Sequence, residues 1–249
     1  MKITRKHFIA WMSIAIFACS AFTILTKKNI TIWMIGDSTM AIKQAKAYPE
    51  TGWGMEVQPF FDNTVQIENK AMNGRSTKSF INEKRWQEVL DNLKEGDYVL
   101  IEFGHNDEKI EKPAVGTSLD EFRGNLAKFI NESKDKKAIP VLMTPICRRN
   151  FKNGVLIDTH KGYPDVVRKL AGSLHVPLVD MQQKTEQLLT SLGDEGSKFL
   201  FNYVEPGNVN YPEGKKDDTH LSPTGAKKIA GLAVEALKEL VPGIAGRLK

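Results

Sequence analysis

Four residues of this sequence have side chains that together could carry out acyl transfer, namely Ser38, Asn106, Asp217 and His220. Asp217 precedes His220 by three residues, and a carboxylate at that spacing on a loop can accept a hydrogen bond from the imidazole Nδ1–H. The ring is then fixed in the tautomer whose Nε2 takes a proton from a serine hydroxyl, which is a weak nucleophile without an adjacent base. An asparagine amide can donate to the oxyanion that forms when the serine attacks. These residue types would permit a serine-based hydrolytic site.

Each of these residues also has a simpler structural interpretation. Ser38 lies in the sequence GDST at 36–39, which is typical of an Asp/Ser turn or a helix N-cap. His220 would then be a solvated loop histidine, and Asp217 a charge that flanks the following helix. Only the hydrolytic interpretation requires the fold to bring these residues together. The strands and helices that position them therefore decide between the two interpretations.

From residue 29 onward, short apolar runs alternate with longer amphipathic stretches. Short continuous apolar runs are typical of strands that are buried on both faces, as in parallel sheets. Their alternation with helices predicts one domain over residues 29–249, an α/β fold with a central parallel sheet of about five strands between two helical layers. The predicted strands are Ile30–Ile35, Val65–Ile67, Tyr98–Phe103, Ile139–Met143 and Val176–Val179. The helical stretches are Thr77–Leu93, Leu119–Lys134 and Pro223–Leu240, the last two with Ser118 and Ser222 as predicted N-caps.

Polar sequences follow the first three predicted strands at the points where these strands end. GDST at 36–39 follows the first, NKAMNGRS at 69–76 the second and GHND at 104–107 the third. Because ligands of open α/β sheets bind outside the carboxyl ends of the strands, we expect these residues to form one polar cluster there. Two stretches rich in Gly, Pro, Asn and charge, 109–117 and 194–216, are predicted to be long surface loops of unassigned role.

The formal net charge of +5 resides in the first residues of the chain and not in the predicted domain. Residues 1–28 contain five basic and no acidic residues, so 30 basic and 30 acidic residues remain for the rest of the chain. A domain without net positive charge does not offer a general basic surface for nucleic acid. Nucleic acid is therefore excluded as an expected class of partner.

The N-terminal segment has the pattern of an export signal. A basic stretch at Met1–His7 precedes an uncharged apolar stretch at Phe8–Leu25, which predicts a signal peptide or an N-terminal anchor over residues 1–25. Lipidation of Cys19 is a third alternative. We therefore expect an exported protein, periplasmic, extracellular or anchored on the outside, that touches a membrane only through this segment. Cys147 is then the one remaining thiol, and it is predicted to be a buried small residue that forms no disulfide.

Four sequences in the chain resemble the blocks of the SGNH (GDSL-like) hydrolase superfamily: GDST at 36–39, NGRS at 73–76, GHND at 104–107 and DDTH at 217–220. They occur in the family's order, each at its expected place, and the resemblance covers roughly residues 30–240. It implies a flavodoxin-like, three-layer α/β/α fold. It also implies a carboxylic ester hydrolase that needs no metal and no cofactor.

Finer features are similar to the rhamnogalacturonan acetylesterase branch of this superfamily, whose members remove acetyl groups from pectin backbones. They are GDST in place of GDSL, Gly-Trp-Gly at 52–54, GRS at 74–76 after the second strand, His105 within GHND, and THLSPTGA at 219–226. The similarity implies an acetylated pectic polysaccharide as the substrate. An acyl esterase for acetylxylan, another glycan or a lipid is an alternative. A flavodoxin-like binding protein and a metal-dependent deacetylase are further ones, although the chain contains no HExxH sequence.

The resemblance also implies a role for each residue of the site. Ser38 would be the nucleophile, His220 the general base and then the general acid, and Asp217 the carboxylate that orients His220. Asp218 is a rival for the last role, but only Asp217 has the family's three-residue spacing. The implied donors of the oxyanion hole are the backbone N–H groups of Ser38 and Gly74 and the side-chain amide of Asn106.

Three further residues are candidates for contact with the substrate. Arg75 could pair with a galacturonate carboxylate or form an ordinary surface ion pair. His105 could contact the sugar or make a structural hydrogen bond. Trp53 could line a sugar cleft or belong to the core. The sequence leaves both alternatives open for each of the three.

Overall fold

A parallel sheet of five strands forms the centre of the fold, which the computed structural model describes for residues 27–249. The strands are β1 (Ile30–Gly36), β2 (Val65–Asn69), β3 (Tyr98–Glu102), β4 (Ile139–Met143) and β7 (Leu178–Val179), with β5 (Phe151–Lys152) and β6 (Val155–Leu156) forming a separate antiparallel hairpin. The sheet order is β2-β1-β3-β4-β7, and every neighbouring pair is parallel. The predicted α/β fold with about five parallel strands is confirmed.

The central strands β1 and β3 lie side by side and are buried on both faces, which explains their unbroken apolar sequences. Met34 of β1 and Leu100 of β3 belong to one apolar core, whereas Ile35 and Ile101 belong to the core on the other face. This alternation follows from the two-residue period of side chains along a strand. Glu102 breaks the apolar pattern, because it places a buried carboxyl group at the end of β3.

Helices cover both faces of the sheet. They are α1 (Thr77–Asn82), α2 (Arg85–Asn92), α3 (Leu119–Asp135), α4 (Tyr163–Leu174), α5 (Met181–Ser197), α6 (Pro223–Leu240) and the short α7 (Pro242–Ala245). Helices α1 to α4 contribute the aromatic-rich core on one face, and α5 to α7 contribute the core on the other face. The result is the expected three-layer α/β/α arrangement.

Helix α6 directly follows the loop that contains Asp217 and His220, and the sequence of the helix explains where it begins. Ser222 caps the helix by accepting a hydrogen bond from the Gly225 N–H at 3.0 Å, and Pro223 occupies the first helical position. Small buried residues such as Ala226 and Ala230 bring the helix close to its neighbours. Helix α3 begins in the same way, since the Ser118 hydroxyl accepts from the backbone of the third helical residue.

Two predicted segments differ from the structure. The stretch 77–93 is not one helix, because Lys84 adopts a left-handed conformation with φ of 58° and separates α1 from α2. The stretch 194–216 is not a loop throughout, because α5 continues past a break at Gly193 as far as Ser197. The guanidinium of Arg149 contacts the start of this extra turn, since it binds both the carbonyl and the carboxylate oxygen of Asp194. The stretch 109–117 is a loop, as predicted, and it contains turns but no helix or strand.

The predicted N-terminal segment 1–25, with Cys19, lies outside the described residues. Cys147 is buried, as predicted, and it forms no disulfide within residues 27–249; burial raises the pKa of its thiol to about 11. Within residues 27–249, the helices are too short or too polar to cross a membrane.

Candidate active site

Ser38 lies in the turn that directly follows β1, at the carboxyl edge of the sheet. The turn is closed by a hydrogen bond of 3.1 Å from the Ala41 N–H to the Asp37 carbonyl. Asp37 itself faces inward and is fully buried, with its Oδ1 accepting from the backbone and the hydroxyl of Thr39. Ser38 is consequently presented at the surface end of the strand, where it is half-buried.

Ser38, His220 and Asp217 form a continuous line of hydrogen bonds. The Ser38 Oγ lies 2.9 Å from the His220 Nε2, and the His220 Nδ1 lies 2.9 Å from the Asp217 Oδ2. The other oxygen of Asp217 accepts from the backbone N–H groups of Thr219 at 2.9 Å and His220 at 3.0 Å. Because the carboxylate can only accept, the ring proton resides on Nδ1 and leaves Nε2 free to accept from the serine.

The environment of Asp217 keeps it ionised. Burial alone would raise the pKa of this carboxyl group, but the hydrogen bonds from the ring and the backbone of His220 outweigh burial and hold the pKa well below its usual range. The ammonium group of Lys215 lies 3.5 Å from the same carboxylate and adds a weaker attraction. An ionised Asp217 stabilises the imidazolium that forms when His220 takes a proton.

The rival carboxylate of Asp218 points away from the histidine. Its Oδ1 accepts from Arg149 at 2.6 Å and from the Tyr203 hydroxyl at 2.7 Å. This pairing fixes the loop between α5 and α6 to another part of the molecule, and it leaves Asp217 as the carboxylate at the ring.

Gly74 lies in the loop after β2, beside the turn that carries Ser38. The loop remains bonded to β1 beyond the end of the strand, since the Met72 N–H donates to the Gly36 carbonyl at 3.0 Å. Gly74 adopts φ of +77°, and an added Cβ atom would meet nothing within 4 Å. Glycine is therefore favoured here by backbone conformation, and the open space leaves room for a substrate to approach.

The amide of Asn106 is held in one orientation by two neighbours. Its Oδ1 accepts from the ammonium group of Lys109 at 2.7 Å, and its Nδ2 donates to the Arg75 carbonyl at 3.1 Å. An amide nitrogen carries two N–H groups, so one of them remains for a further acceptor. The positive charge of Lys109 on the amide oxygen also strengthens that remaining donor.

The three candidates for substrate contact have other roles. The guanidinium of Arg75 is engaged by both carboxylate oxygens of Glu83, each at 3.0 Å from Nε, and by the Asn73 carbonyl. Of the two alternatives for Arg75, this contact is the surface ion pair. It occupies the guanidinium N–H groups that a galacturonate carboxylate would need. Trp53 is fully buried and donates from its indole Nε1 to Glu102 at 2.7 Å, so the sugar-cleft interpretation is wrong and Trp53 belongs to the core.

His105 is also withdrawn from solvent, with 2% of its surface exposed, so a sugar cannot reach its ring. The ring packs edge-on against His160 with centroids 4.7 Å apart. Burial, and then the electrostatic influence of His160 and Arg148, hold its pKa well below the ordinary histidine value. Among residues 27–249 neither of its ring nitrogens has a hydrogen-bond partner, so the expected structural hydrogen bond is not observed there either.

A buried pair of carboxyl groups, Asp37 and Glu102, supports the Ser38 turn from below. Burial, and then the neighbouring charge of Asp37, raises the pKa of Glu102 to about 8, and burial also raises the pKa of Asp37. Glu102 accepts from the Trp53 indole at 2.7 Å and from the Ile146 N–H at 3.3 Å. At neutral pH the pair therefore retains a proton.

This pair predicts a pH dependence of stability. A carboxyl group whose pKa is raised by folding stabilises the fold below its ordinary pKa, and that contribution is lost as the pH rises towards the folded value of about 8. Glu102→Gln keeps an acceptor for Trp53 but cannot ionise. We expect the melting temperature of this variant, relative to wild type, to rise between about pH 5 and about pH 9. A difference that stays constant over this range in thermal unfolding would contradict the prediction.

Two polar residues of the site, Lys43 and Glu50, were not predicted from the sequence. The Lys43 ammonium group contacts Glu50 at 2.7 Å, and no spacing in the sequence distinguishes Lys43 from the nearby Lys46. Among residues 27–249, Glu50, Asp217 and His220 are the one group of acidic and histidine side chains close enough to hold a metal ion. Each already has a partner, since Glu50 pairs with Lys43 and the other two pair with each other, so these contacts do not require a cation.

Comparison with known proteins identifies the family of this chain. Residues 32–232 match the family model of the GDSL-like lipases and acylhydrolases. The chain is 38% identical to the rhamnogalacturonan acetylesterase RhgT of Bacillus subtilis over 87% of this chain and 93% of that protein. It is 30% identical to the probable rhamnogalacturonan acetylesterase YesY of the same organism, over 84% and 93% of the two chains.

Solved structures show the same fold. The crystal structure of YxiM from Bacillus subtilis superimposes with a TM-score of 0.72 at 28% identity, over 88% of this chain and 58% of that longer chain. The acetylxylan esterase Axe2 of Geobacillus stearothermophilus superimposes with a TM-score of 0.61 at 18% identity, over 84% and 94% of the two chains. The chain belongs to the GDSL-like lipase/acylhydrolase family of the SGNH superfamily and is a carboxylic ester hydrolase.

Proposed function

We propose that this protein removes O-acetyl groups from a pectic polysaccharide, rhamnogalacturonan, with Ser38 as its nucleophile. The observation that carries the proposal is the hydrogen-bonded line from Ser38 through His220 to Asp217, with 2.9 Å at each of its two steps. It lies at the carboxyl edge of the sheet, where open α/β folds bind their ligands.

The first half of the proposed reaction forms an acetyl-enzyme. The Ser38 Oγ attacks the acetyl carbonyl while His220 Nε2 takes its proton, and Asp217 stabilises the resulting imidazolium. The oxyanion is held by the N–H groups of Ser38 and Gly74 and by the free amide N–H of Asn106. Collapse of this intermediate breaks the bond to the sugar oxygen, which leaves as a hydroxyl with the proton from His220.

The second half releases acetate. His220 takes a proton from a water molecule, whose oxygen attacks the acetyl group on Ser38. The same donors hold the second oxyanion, and its collapse returns the proton to Ser38. Because His220 must be neutral to act as a base, we expect the rate to fall at acidic pH.

The choice of substrate is supported by the relatives. One of them, at 38% identity, carries the name of a rhamnogalacturonan acetylesterase and another, at 30%, that of a probable one; each is covered over 93% of its length. The acetylxylan esterases among the similar structures are 17–20% identical, which supports the fold alone. We propose that the protein meets this substrate outside the cytoplasm, on the basis of the apolar stretch at Phe8–Leu25 and the basic residues before it.

Acetate release from two polysaccharides tests the substrate. We expect wild-type protein to release acetate from acetylated rhamnogalacturonan faster than from acetylated xylan, at equal concentrations of acetyl groups. Faster release from xylan would retain the mechanism and overturn the pectic substrate. Release from neither, with no hydrolysis of a simple acetate ester, would contradict the proposed activity as a whole.

A further inference from the structure

Lys43 is a buried lysine immediately beside the proposed nucleophile. Only 1% of its side chain is exposed, although lysine is among the residues that are least often buried. It lies in the irregular segment after the Ser38 turn, where the neighbouring residues Ile42 and Gln44 are exposed. Because burial of an ammonium group is costly unless it is paired, the contacts of Lys43 require an explanation.

The ammonium group of Lys43 has three acceptors, which equals its number of N–H groups. It donates to the Ser38 carbonyl and, at 2.9 Å, to the Asn73 Oδ1, and it lies 2.7 Å from a carboxylate oxygen of Glu50. Two of these acceptors belong to parts of the proposed oxyanion hole. Ser38 supplies one backbone donor, and Asn73 directly precedes Gly74, which supplies the other.

The third acceptor connects Lys43 to the acid–base side of the site. A carboxylate oxygen of Glu50 lies within 4.8 Å of ligand atoms of both Asp217 and His220. The backbone explains this proximity, because the Thr51 N–H donates to the Leu221 carbonyl at 3.0 Å and places Glu50 beside His220. The side chain of Glu50 is itself 12% exposed.

We propose that Lys43, through its ion pair with Glu50, is a positioning residue that holds the nucleophile turn, the Asn73–Gly74 loop and the His220 loop in a fixed arrangement. This inference rests on the proposed function. The ammonium group contacts the nucleophile turn and the Asn73 loop directly, and it is linked to the His220 loop through Glu50, whose neighbour Thr51 is bonded to Leu221. Catalytic hydrogen bonds tolerate little displacement, and a misplacement of about 1 Å can cost on the order of 10²-fold in rate.

The test compares Lys43→Met with Lys46→Met. Methionine has nearly the length of the lysine stem but no charge and no donor, and Lys46 is an exposed lysine three residues away. With p-nitrophenyl acetate as the substrate, we expect kcat of Lys43→Met to fall roughly 10- to 100-fold, with KM changed less than about 3-fold. Lys46→Met is expected to retain the wild-type values. Unchanged kcat in Lys43→Met would overturn the proposal.

The loss of Lys43 also leaves the Glu50 carboxylate without its partner, and a second variant separates this effect. In Lys43→Met/Glu50→Gln the uncompensated charge is removed, so we expect the melting temperature to recover towards the wild-type value. The kcat is expected to stay low, because the three segments remain unlinked. Recovery of both properties would show that Lys43 merely neutralises Glu50, and it would overturn the positioning role even if Lys43→Met alone does not fold.

A further measurement separates positioning from general destabilisation. A phosphonofluoridate forms a tetrahedral adduct on the serine, which uses the oxyanion donors. Acetate, the product, binds without forming such an adduct. We expect Lys43→Met to slow phosphonylation by the same factor as kcat/KM, with an unchanged inhibition constant for acetate. If wild type lacks esterase activity or Ser38→Ala retains it, the proposed function fails. If only Lys43→Met behaves as wild type, the positioning role alone fails.

Discussion

Replacement of Ser38 by alanine is expected to lower kcat for acetate ester hydrolysis by roughly 10⁶-fold, as removal of the nucleophile does in other serine hydrolases. His220 Nε2 would lose the hydroxyl that lies 2.9 Å away, and no other serine lies in this line of hydrogen bonds. The oxyanion donors would remain, so a small residual acceleration over water is expected. Initial rates with p-nitrophenyl acetate measure the effect.

Ser191→Ala is the matched control for this variant. Ser191 is exposed on α5, and its hydroxyl donates to the Leu188 carbonyl in the same helix. Both substitutions remove one hydroxyl group, and neither changes a buried apolar contact. Wild-type activity in Ser38→Ala, with the fold intact by circular dichroism, would show that hydrolysis does not proceed through Ser38.

Asp217→Asn is expected to lower kcat by roughly 10⁴-fold, with little change in KM, because it imposes the wrong tautomer on His220. The asparagine has one oxygen, and the backbone N–H groups of Thr219 and His220 already converge on that side of the carboxylate. The amide NH₂ group would then face the ring and donate to Nδ1. The proton of the neutral ring would move to Nε2, which could no longer accept from Ser38.

Asp218→Asn provides the control, since it makes the same chemical change at the next residue. Its oxygen can still accept from Arg149 and Tyr203, which are its partners in the structure. We expect this variant to keep the wild-type kcat within about 3-fold, as surface substitutions usually have small effects. If Asp218→Asn lost activity and Asp217→Asn kept it, the assignment of the orienting carboxylate would be reversed.

The fold could be predicted because its sequence signals are local and strong. The apolar runs that form β1, β3 and β4 are buried on both faces, and Ser222 and Pro223 mark the start of α6. The two errors occurred where a single backbone conformation or a tertiary contact, rather than local composition, decides where a helix ends. The left-handed conformation of Lys84 divides the first amphipathic stretch, and Arg149 contacts α5 at Asp194, in a stretch rich in polar residues and glycine.

The residues that meet at the site could be proposed for two reasons. Ser38 directly follows a predicted strand, and Asp217 and His220 have a recognisable three-residue spacing. The structure brings Ser38, Asp217 and His220 together as that reasoning requires. The surroundings could not be predicted in the same way. Whether Trp53 faces a cleft or the core depends on its pairing with Glu102, which is distant in sequence.

Lys43 illustrates the same limit more strongly. Its sequence neighbourhood resembles that of an exposed lysine, and its burial depends on acceptors from the Ser38 turn, the Asn73 loop and Glu50. No periodicity or motif within one segment carries this information. The contact of Lys43 with Asn73, which lies 30 residues away in the sequence, becomes visible only when the fold is known.

The most direct test of the central claim is peptide mapping after reaction with a phosphonofluoridate, which forms a covalent bond with an activated serine. We expect one adduct on the peptide that contains Ser38, with hydrolysis of p-nitrophenyl acetate lost in proportion to labelling. Labelling should be slowed in Asp217→Asn and unaffected in Asp218→Asn. An adduct on another residue, or full hydrolytic activity after Ser38 is completely labelled, would contradict the serine mechanism proposed for this site.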